Sequence, residues 1–228
     1  MGKNNSMTVR MDDLLQYEPI TANQKVAFEA WGEGDNLVLA GSAGTGKTFI
    51  ALYMALEDLL DSDSYYRQIV LIRSIVPTRD IGYLPGTAEE KKEAYTSPYK
   101  NICNELFNDK SSWNKLTSSN QVLFESTSFI RGTTFNESII IVDEMQNMNF
   151  HELDSIITRV GQNSKIIFCG DYKQSDFKFQ DERDGVFKFT SVIEQMKDFS
   201  IIQFGWDDIV RSGMVRDYLL TKEMLNID

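Results

Sequence analysis

Gly41-Ser42-Ala43-Gly44-Thr45-Gly46-Lys47-Thr48 fits the pattern G-x-x-x-x-G-K-[ST]. The apolar run Leu37-Val38-Leu39-Ala40 precedes it and Phe49-Ile50-Ala51-Leu52-Tyr53-Met54-Ala55-Leu56 follows it, so the order is strand, loop, helix. Glycines let such a loop wrap until successive backbone N–H groups and the first helical turn face one anion, where the helix dipole also favours negative charge. In that arrangement Lys47 reaches the β- and γ-phosphates and the Thr48 hydroxyl ligates Mg2+. The stretch predicts a nucleoside triphosphate site. The other reading of the bare string, a structural loop holding no phosphate, is weakened by the strand before it and the helix after it.

On either side of this motif, short apolar runs recur at Ile69-Val70-Leu71-Ile72, Val122-Leu123-Phe124-Glu125, Ile139-Ile140-Ile141-Val142, Lys165-Ile166-Ile167-Phe168-Cys169 and Ser200-Ile201-Ile202-Gln203-Phe204. They are too short for helices and rich in branched residues, which reads as buried strands. Helical spacing lies between them: Val26, Ala27, Phe28 and Trp31 after Thr21-Ala22-Asn23-Gln24, then 151–160, 186–196 and 214–225. A further helix opens near Glu89-Glu90, is interrupted or kinked at Pro98, and resumes from Tyr99 to Phe107. Pro77, Gly82, Pro85 and Gly86 make 73–86 an extended loop with tight turns, and 108–120 read as a polar excursion. Buried strands alternating with helices predict an α/β fold, a mainly parallel sheet with helices on both faces and ligands bound along one sheet edge. Residues 1–20 are expected to be loosely ordered and 21–228 to form a single domain.

At 228 residues, 42% hydrophobic and 25% charged, the chain is long and apolar enough for one substantial core. No apolar run approaches twenty residues, and Met1-Gly2-Lys3-Asn4-Asn5-Ser6 lacks the greasy stretch of a signal peptide, so the expected location is the cytoplasm, without a membrane partner. Cys103 and Cys169 are far apart and read as reduced packing residues. The sole histidine, His151, beside Asn149 at a helix start, reads as a surface or capping residue, which excludes a histidine-based zinc site. A net charge of −11 argues against a surface that holds nucleic acid everywhere, though local clusters exist at Lys91-Lys92, Lys100 and Lys110, Lys173 and Lys178, and Arg211 and Arg216. Each cluster is also readable as a solvated face.

Ile139-Ile140-Ile141-Val142-Asp143-Glu144 supplies the second nucleotide element, a Walker B pattern. Asp143 at the strand end is placed to hold Mg2+ through its water shell, and Glu144 to polarise the attacking water. Cys169-Gly170-Asp171-Tyr172-Lys173-Gln174 repeats the arrangement after a later strand. Gln174 there suits a hydrogen bond to the γ-phosphate or the water; the other reading is that Gly170-Asp171 only turns the chain. Gln24 is readable as an adenine contact or as an exposed residue of an amphipathic helix.

Together these residues resemble the PhoH-like family, ATPases related to the first RecA-like motor domain of superfamily 1 helicases. The matching stretches are GSAGTGKTFIA at 41–51, RSIVPTRDIGYLPGTAEEK at 73–91, SFIRGTTFNESIIIVDEMQNM at 128–148, GDYKQSD at 170–176 and DDIVRSGMVRDYL at 207–219. The Leu84-Pro85-Gly86 loop and the Asp-Glu-x-Gln-Asn form of the Walker B are more particular than a generic phosphate loop. The resemblance implies a RecA-like domain, ATP and Mg2+ as ligands, Gln174 as γ-phosphate sensor, Gln24 as adenine reader and Arg211 as an arginine finger, with Arg131 a second candidate. Arg211 also reads as a surface cation near a helix start. Two departures stand out: Gly41-Ser42-Ala43-Gly44 where the family has Gly-Pro-Ala-Gly, and Arg131-Gly132-Thr133-Thr134 where it has Arg-Gly-Arg-Thr. The first leaves the backbone cradle intact, whereas the second removes a cation. No PIN-like nuclease segment accompanies the motifs, so ribonuclease activity is not carried over. The compact length is similar to phage-encoded members, for which the location would be the host cytoplasm.

The resemblance points to an ATPase coupled to RNA or single-stranded nucleic acid. Tyr83, Tyr95, Tyr99 and Phe129 are candidate stacking residues beside Lys91 and Lys92. An arginine finger is expected from a neighbouring subunit in a homo-oligomeric ring, a hexamer by analogy with the family. A nucleotide-gated oligomeric interaction module is the alternative. A small-molecule kinase is disfavoured by the Asp143-Glu144 pair, which suits attack by water.

Overall fold

The computed structural model describes residues 8–74, 88–127, 130, 132–171 and 180–225, excepting the side chains of 88–92, 180–184 and 223. Among them six strands form one sheet: β1 (Asn36–Gly41), β2 (Gln68–Arg73), β3 (Val122–Ser126), β4 (Ser138–Asp143), β5 (Lys165–Gly170) and β6 (Phe199–Phe204). Every pairing is parallel, in the order β3-β2-β4-β5-β1-β6. The helices are α1 (Ala22–Gly32), α2 (Lys47–Leu60), α3 (Ala88–Leu106), α4 (Ser112–Ser118), α5 (Phe150–Ile157), α6 (Gln180–Ile193) and α7 (Gly213–Met224).

Successive strand residues point to opposite faces, and both faces are apolar, which is why each strand reads as a continuous greasy run. Leu37, Leu39, Ile69, Leu71, Ile139, Ile141 and Ile167 pack with α1 to α4 on one face. Val38, Ala40, Val70, Ile72, Ile140, Val142 and Phe168 pack with α5 and α6 on the other. The expected parallel sheet covered on both sides is therefore the observed one.

Three expectations change. Pro98 does not interrupt the helix: α3 runs from Ala88 to Leu106 with Pro98 inside it. The stretch 108–120 is no mere polar excursion, because α4 lies within it and buries Trp113 and Leu116 against α3 and β3. The segment up to residue 20 is packed from residue 8 onward. Val9 and Leu14 are buried in the core, the Leu15 N–H donates to the Leu106 carbonyl at 2.8 Å, and the Tyr17 N–H donates to the Tyr53 hydroxyl. Polar composition hid two apolar anchors. Cys103 and Cys169 are buried free thiols, as packing residues should be, and burial pushes Cys103 up to about 12.

Parallel pairing brings the carboxyl ends of all strands to one edge. Its register sets Ala40 beside Gly170, Gly41 beside Phe204, and Arg73 beside Asp143. The predicted nucleotide elements thus converge from positions scattered through the sequence.

Candidate nucleotide site

The phosphate loop leaves β1 at Gly41 and enters α2 at Lys47. Gly41, Gly44 and Gly46 hold φ values of +134°, +82° and +81°, a backbone that residues with a Cβ adopt only under strain. At Gly41 a side chain is excluded twice over, since a Cβ would fall on the Phe204 carbonyl of the adjacent strand. The first turn of α2 itself contains no acidic residue. Lys47 Nζ curls over the loop and donates to the Gly41 carbonyl at 2.6 Å, the Ser42 carbonyl at 2.7 Å and Thr45 Oγ1 at 3.3 Å. Burial lowers its pKa, and the acidic groups Asp171, Glu144 and Asp143 oppose that shift. A half-buried ammonium held on neutral carbonyls, with carboxylates at the neighbouring strand ends, is suited to an incoming polyanion.

Thr48 Oγ1 donates to Asp143 Oδ1 at 2.9 Å, joining the Walker A helix to the Walker B strand. A hydroxyl and one buried carboxylate are a donor set that fits Mg2+. That ion takes one or two protein oxygens and completes its shell with water and phosphate oxygens.

Glu144 follows at the strand end with φ +54° and ψ +45° and opens a tight 3-10 turn over Met145–Asn147. The left-handed residue costs about 1–3 kcal/mol, which the surrounding contacts must offset. The turn folds Gln146 back so that its Nε2 donates to Glu144 Oε2 at 2.5 Å, while its Oε1 accepts from the Asp171 N–H at 3.1 Å. Gln146 thus ties the Glu144 carboxylate to the end of β5. It passes over Gly170, where a Cβ would come within 2.6 Å of both Gln146 Oε1 and Met145 Cγ.

Gln24 is not the exposed helix residue of one reading: it is fully buried. Its Nε2 donates to the Thr45 carbonyl at 3.3 Å, and its Oε1 accepts from the Ile20 N–H at 2.9 Å and the Tyr17 hydroxyl at 3.0 Å. It therefore stitches the N-terminal segment to the phosphate loop. Arg211 follows β6 and lies beside the phosphate loop of its own chain. Its Cγ is 3.1 Å from where a Cβ on Gly44 would stand, and the Val210 N–H donates to the Gly44 carbonyl at 3.1 Å. Gln174 and Arg131 lie outside the described residues, as do Tyr83, Phe129, the 84–86 loop and the side chains of Lys91 and Lys92.

Three side chains that organise the acidic pair have no such role in the sequence reading: Gln146, Tyr99 and Arg73. Tyr99 is wholly buried, which removes it as a stacking platform, and its hydroxyl donates to Asp143 Oδ2 at 2.8 Å. Arg73, paired with Asp143 in the register of β2 and β4, lies 6.0 Å from the centre of the Tyr95 ring. Burial alone would lower the Arg73 pKa, but Tyr99, Glu144 and Asp143 outweigh it and raise it. Gln146 was legible in principle, as the fourth residue of the Asp-Glu-x-Gln string; Tyr99 carried no local signal. His151 is exposed, one residue into α5, whose cap is Asn149, accepting from the Glu152 N–H at 3.1 Å.

The family model described as "PhoH-like protein" matches residues 16–222. Protein PhoH2 of Bacillus subtilis (strain 168) is 38% identical over 168 residues, covering 71% of this chain and 37% of that protein. A PhoH-like protein of Mycobacterium leprae (strain TN) is 30% identical over 200 residues, covering 87% of this chain and 56% of its own. The chain thus spans between about a third and three fifths of the length of these curated relatives. Among solved structures, the large terminase of a thermophilic bacteriophage, in complex with ADP, superposes with a TM-score of 0.53 at 15% identity, over 90% of this chain and 50% of that one. The two share the RecA-like fold. No described helix is long and apolar enough to cross a membrane.

Proposed function

This chain belongs to the PhoH-like family, and from that premise we propose that it is a Mg2+-dependent ATP hydrolase. The observation that carries the reading is the Thr48–Asp143 hydrogen bond, which sets the two magnesium-binding oxygens of a phosphate-loop ATPase side by side across 95 residues of sequence. Bound there, Mg2+ would neutralise developing charge on the phosphates. The backbone N–H groups at 41–48 and Lys47 bind the phosphates. Glu144, oriented by Gln146, accepts the proton of the attacking water, and Gln174 senses the γ-phosphate. Gln24 is the candidate adenine reader by family analogy, held against the phosphate loop by its bond to the Thr45 carbonyl. Arg211 is the candidate finger, and its contact with Gly44 favours action on its own phosphate loop.

Coupling to RNA or single-stranded nucleic acid is the finer part of the proposal and rests on family membership. Self-association into a ring, a hexamer by family analogy, has support in the exposed apolar side chains of the C-terminal helical region: Met214 is 80% exposed, Met224 70% and Tyr218 66%. The same exposed side chains favour the second reading, an oligomer whose partner affinity is gated by nucleotide.

Calorimetry with Mg-ATP tests the site: wild-type protein binds, and Lys47→Ala does not. Glu144→Gln should retain ATP and stop turnover; normal hydrolysis by that variant would remove Glu144 as the base. Stimulation of hydrolysis by single-stranded RNA separates the motor from the gated module, for which the response is flat. Light scattering showing only monomer, with a specific rate independent of protein concentration, would defeat the ring.

A further inference from the structure

Asp143 has two carboxylate oxygens, and the proposed ATPase chemistry uses one. Oδ1 faces Thr48, at 2.9 Å, while Oδ2 accepts from the Tyr99 hydroxyl at 2.8 Å. Tyr99 comes from α3, and its ring is held between Trp113 and Phe124, with centroids at 6.5 and 6.0 Å. The phenol O–H is the donor and the carboxylate oxygen the acceptor, so the phenol proton lies on the Asp143 side.

We infer that Tyr99 and Arg73 form a latch that orients the magnesium-side oxygen of Asp143, with Tyr99 as a positioning residue rather than a catalytic one. A carboxylate can rotate about its Cβ–Cγ bond. Pinning Oδ2 with a proton whose direction is set leaves Oδ1 aimed at Thr48, where the ion belongs. Hydrogen bonds that orient the groups holding a metal are outer-shell partners of that metal, and their loss costs about 10–100-fold in metal affinity. The buried hydroxyl also makes the position of α3 a determinant of the magnesium site, although α3 itself contributes no ligand. The same helix carries Tyr95, against which Arg73 packs, so both halves of the latch depend on α3.

This inference rests on the Mg-ATP reading of the site, and the test separates the two. A nonhydrolysable ATP analogue is titrated into wild type, Tyr99→Phe and Arg73→Gln by calorimetry, in EDTA and across a series of Mg2+ concentrations. The phenylalanine keeps the buried ring and removes only the hydroxyl. The expected result is unchanged analogue affinity in EDTA and an approximately tenfold rise in the Mg2+ concentration that half-restores tight binding. Arg73→Gln should shift the Mg2+ curve in the same direction by less, and the double variant no further than Tyr99→Phe alone. A wild-type Mg2+ curve in Tyr99→Phe overturns the latch, and so does an equal loss of affinity in EDTA, which would mark a packing role. If Tyr99→Phe loses its near-UV circular dichroism, Arg73→Gln decides, and an unshifted curve in that variant overturns the latch. Wild-type protein that binds no analogue at any Mg2+ concentration would instead refute the nucleotide site, and the latch with it.

Discussion

Replacing Gln146 with methionine tests how much of the hydrolytic rate depends on the orientation of Glu144. Methionine has similar length and volume, so the space above Gly170 stays filled while the 2.5 Å bond to Glu144 and the 3.1 Å bond from Asp171 are lost. A hydrogen bond to a charged group contributes about 1.5–3 kcal/mol. Gln146 and Glu144 are both half-buried, so the lower end applies. If that contribution is expressed in the transition state, about 1.4 kcal/mol corresponds to a tenfold fall in kcat. Gln146 makes no hydrogen bond to the phosphate loop among the described contacts, so analogue affinity should stay within about twofold. The assay is steady-state phosphate release at saturating Mg-ATP, paired with calorimetry. In a Glu144→Gln background the second substitution should add nothing, because the group being oriented is gone. A folded Gln146→Met protein with kcat within about twofold of wild type would refute the orienting role.

Gly170→Ala should destabilise the fold by about 1–3 kcal/mol through overpacking against Met145 and Gln146, which lowers the thermal midpoint by about 2–4 °C per kcal/mol. A midpoint equal to that of wild type would show that the 3-10 turn yields freely. Asp109 is held well below its usual range, to about 2, by the Ser111 backbone N–H first and by the Lys115 ammonium and Ser111 hydroxyl next. Because the folded pKa lies below the unfolded 3.8, the stabilisation is complete above about pH 3.8 and is lost as pH falls through about 2. Asp109→Asn should remove that part of the acid dependence at a cost, for a half-exposed pair screened by solvent, of under about 1 kcal/mol at neutral pH. Identical acid-unfolding slopes for the two proteins between about pH 4 and about pH 2 would contradict it.

The strands were legible because both sheet faces are buried: at Ile139-Ile140-Ile141-Val142 no polar residue interrupts the run, and only a strand covered on two sides has that composition. The helix N-terminus at Lys47 was legible because the φ angles of the loop demand glycine at the motif positions. The elements misread were those whose apolar content is sparse. Val9 and Leu14 anchor a polar segment, and Trp113 and Leu116 make α4 from a stretch otherwise rich in Asn, Ser and Lys. Two or three anchors give too little periodicity to read, yet they suffice to pack a short segment onto a core that already exists.

What the sequence determined by itself was the chemistry carried in contiguous strings: glycines for the wrap, Lys47 and Thr48 for phosphate and magnesium, and two acids at a strand end. What only the tertiary structure decided was which side chains aim those groups. Tyr99 reaches Asp143 across 44 residues, Arg73 comes beside Asp143 through the register of β2 and β4, and Gln24 reaches Thr45 from α1. The division has a physical cause. Backbone conformation and strand burial leave their signature in neighbouring letters, whereas a hydrogen bond between distant elements depends on sheet order and register.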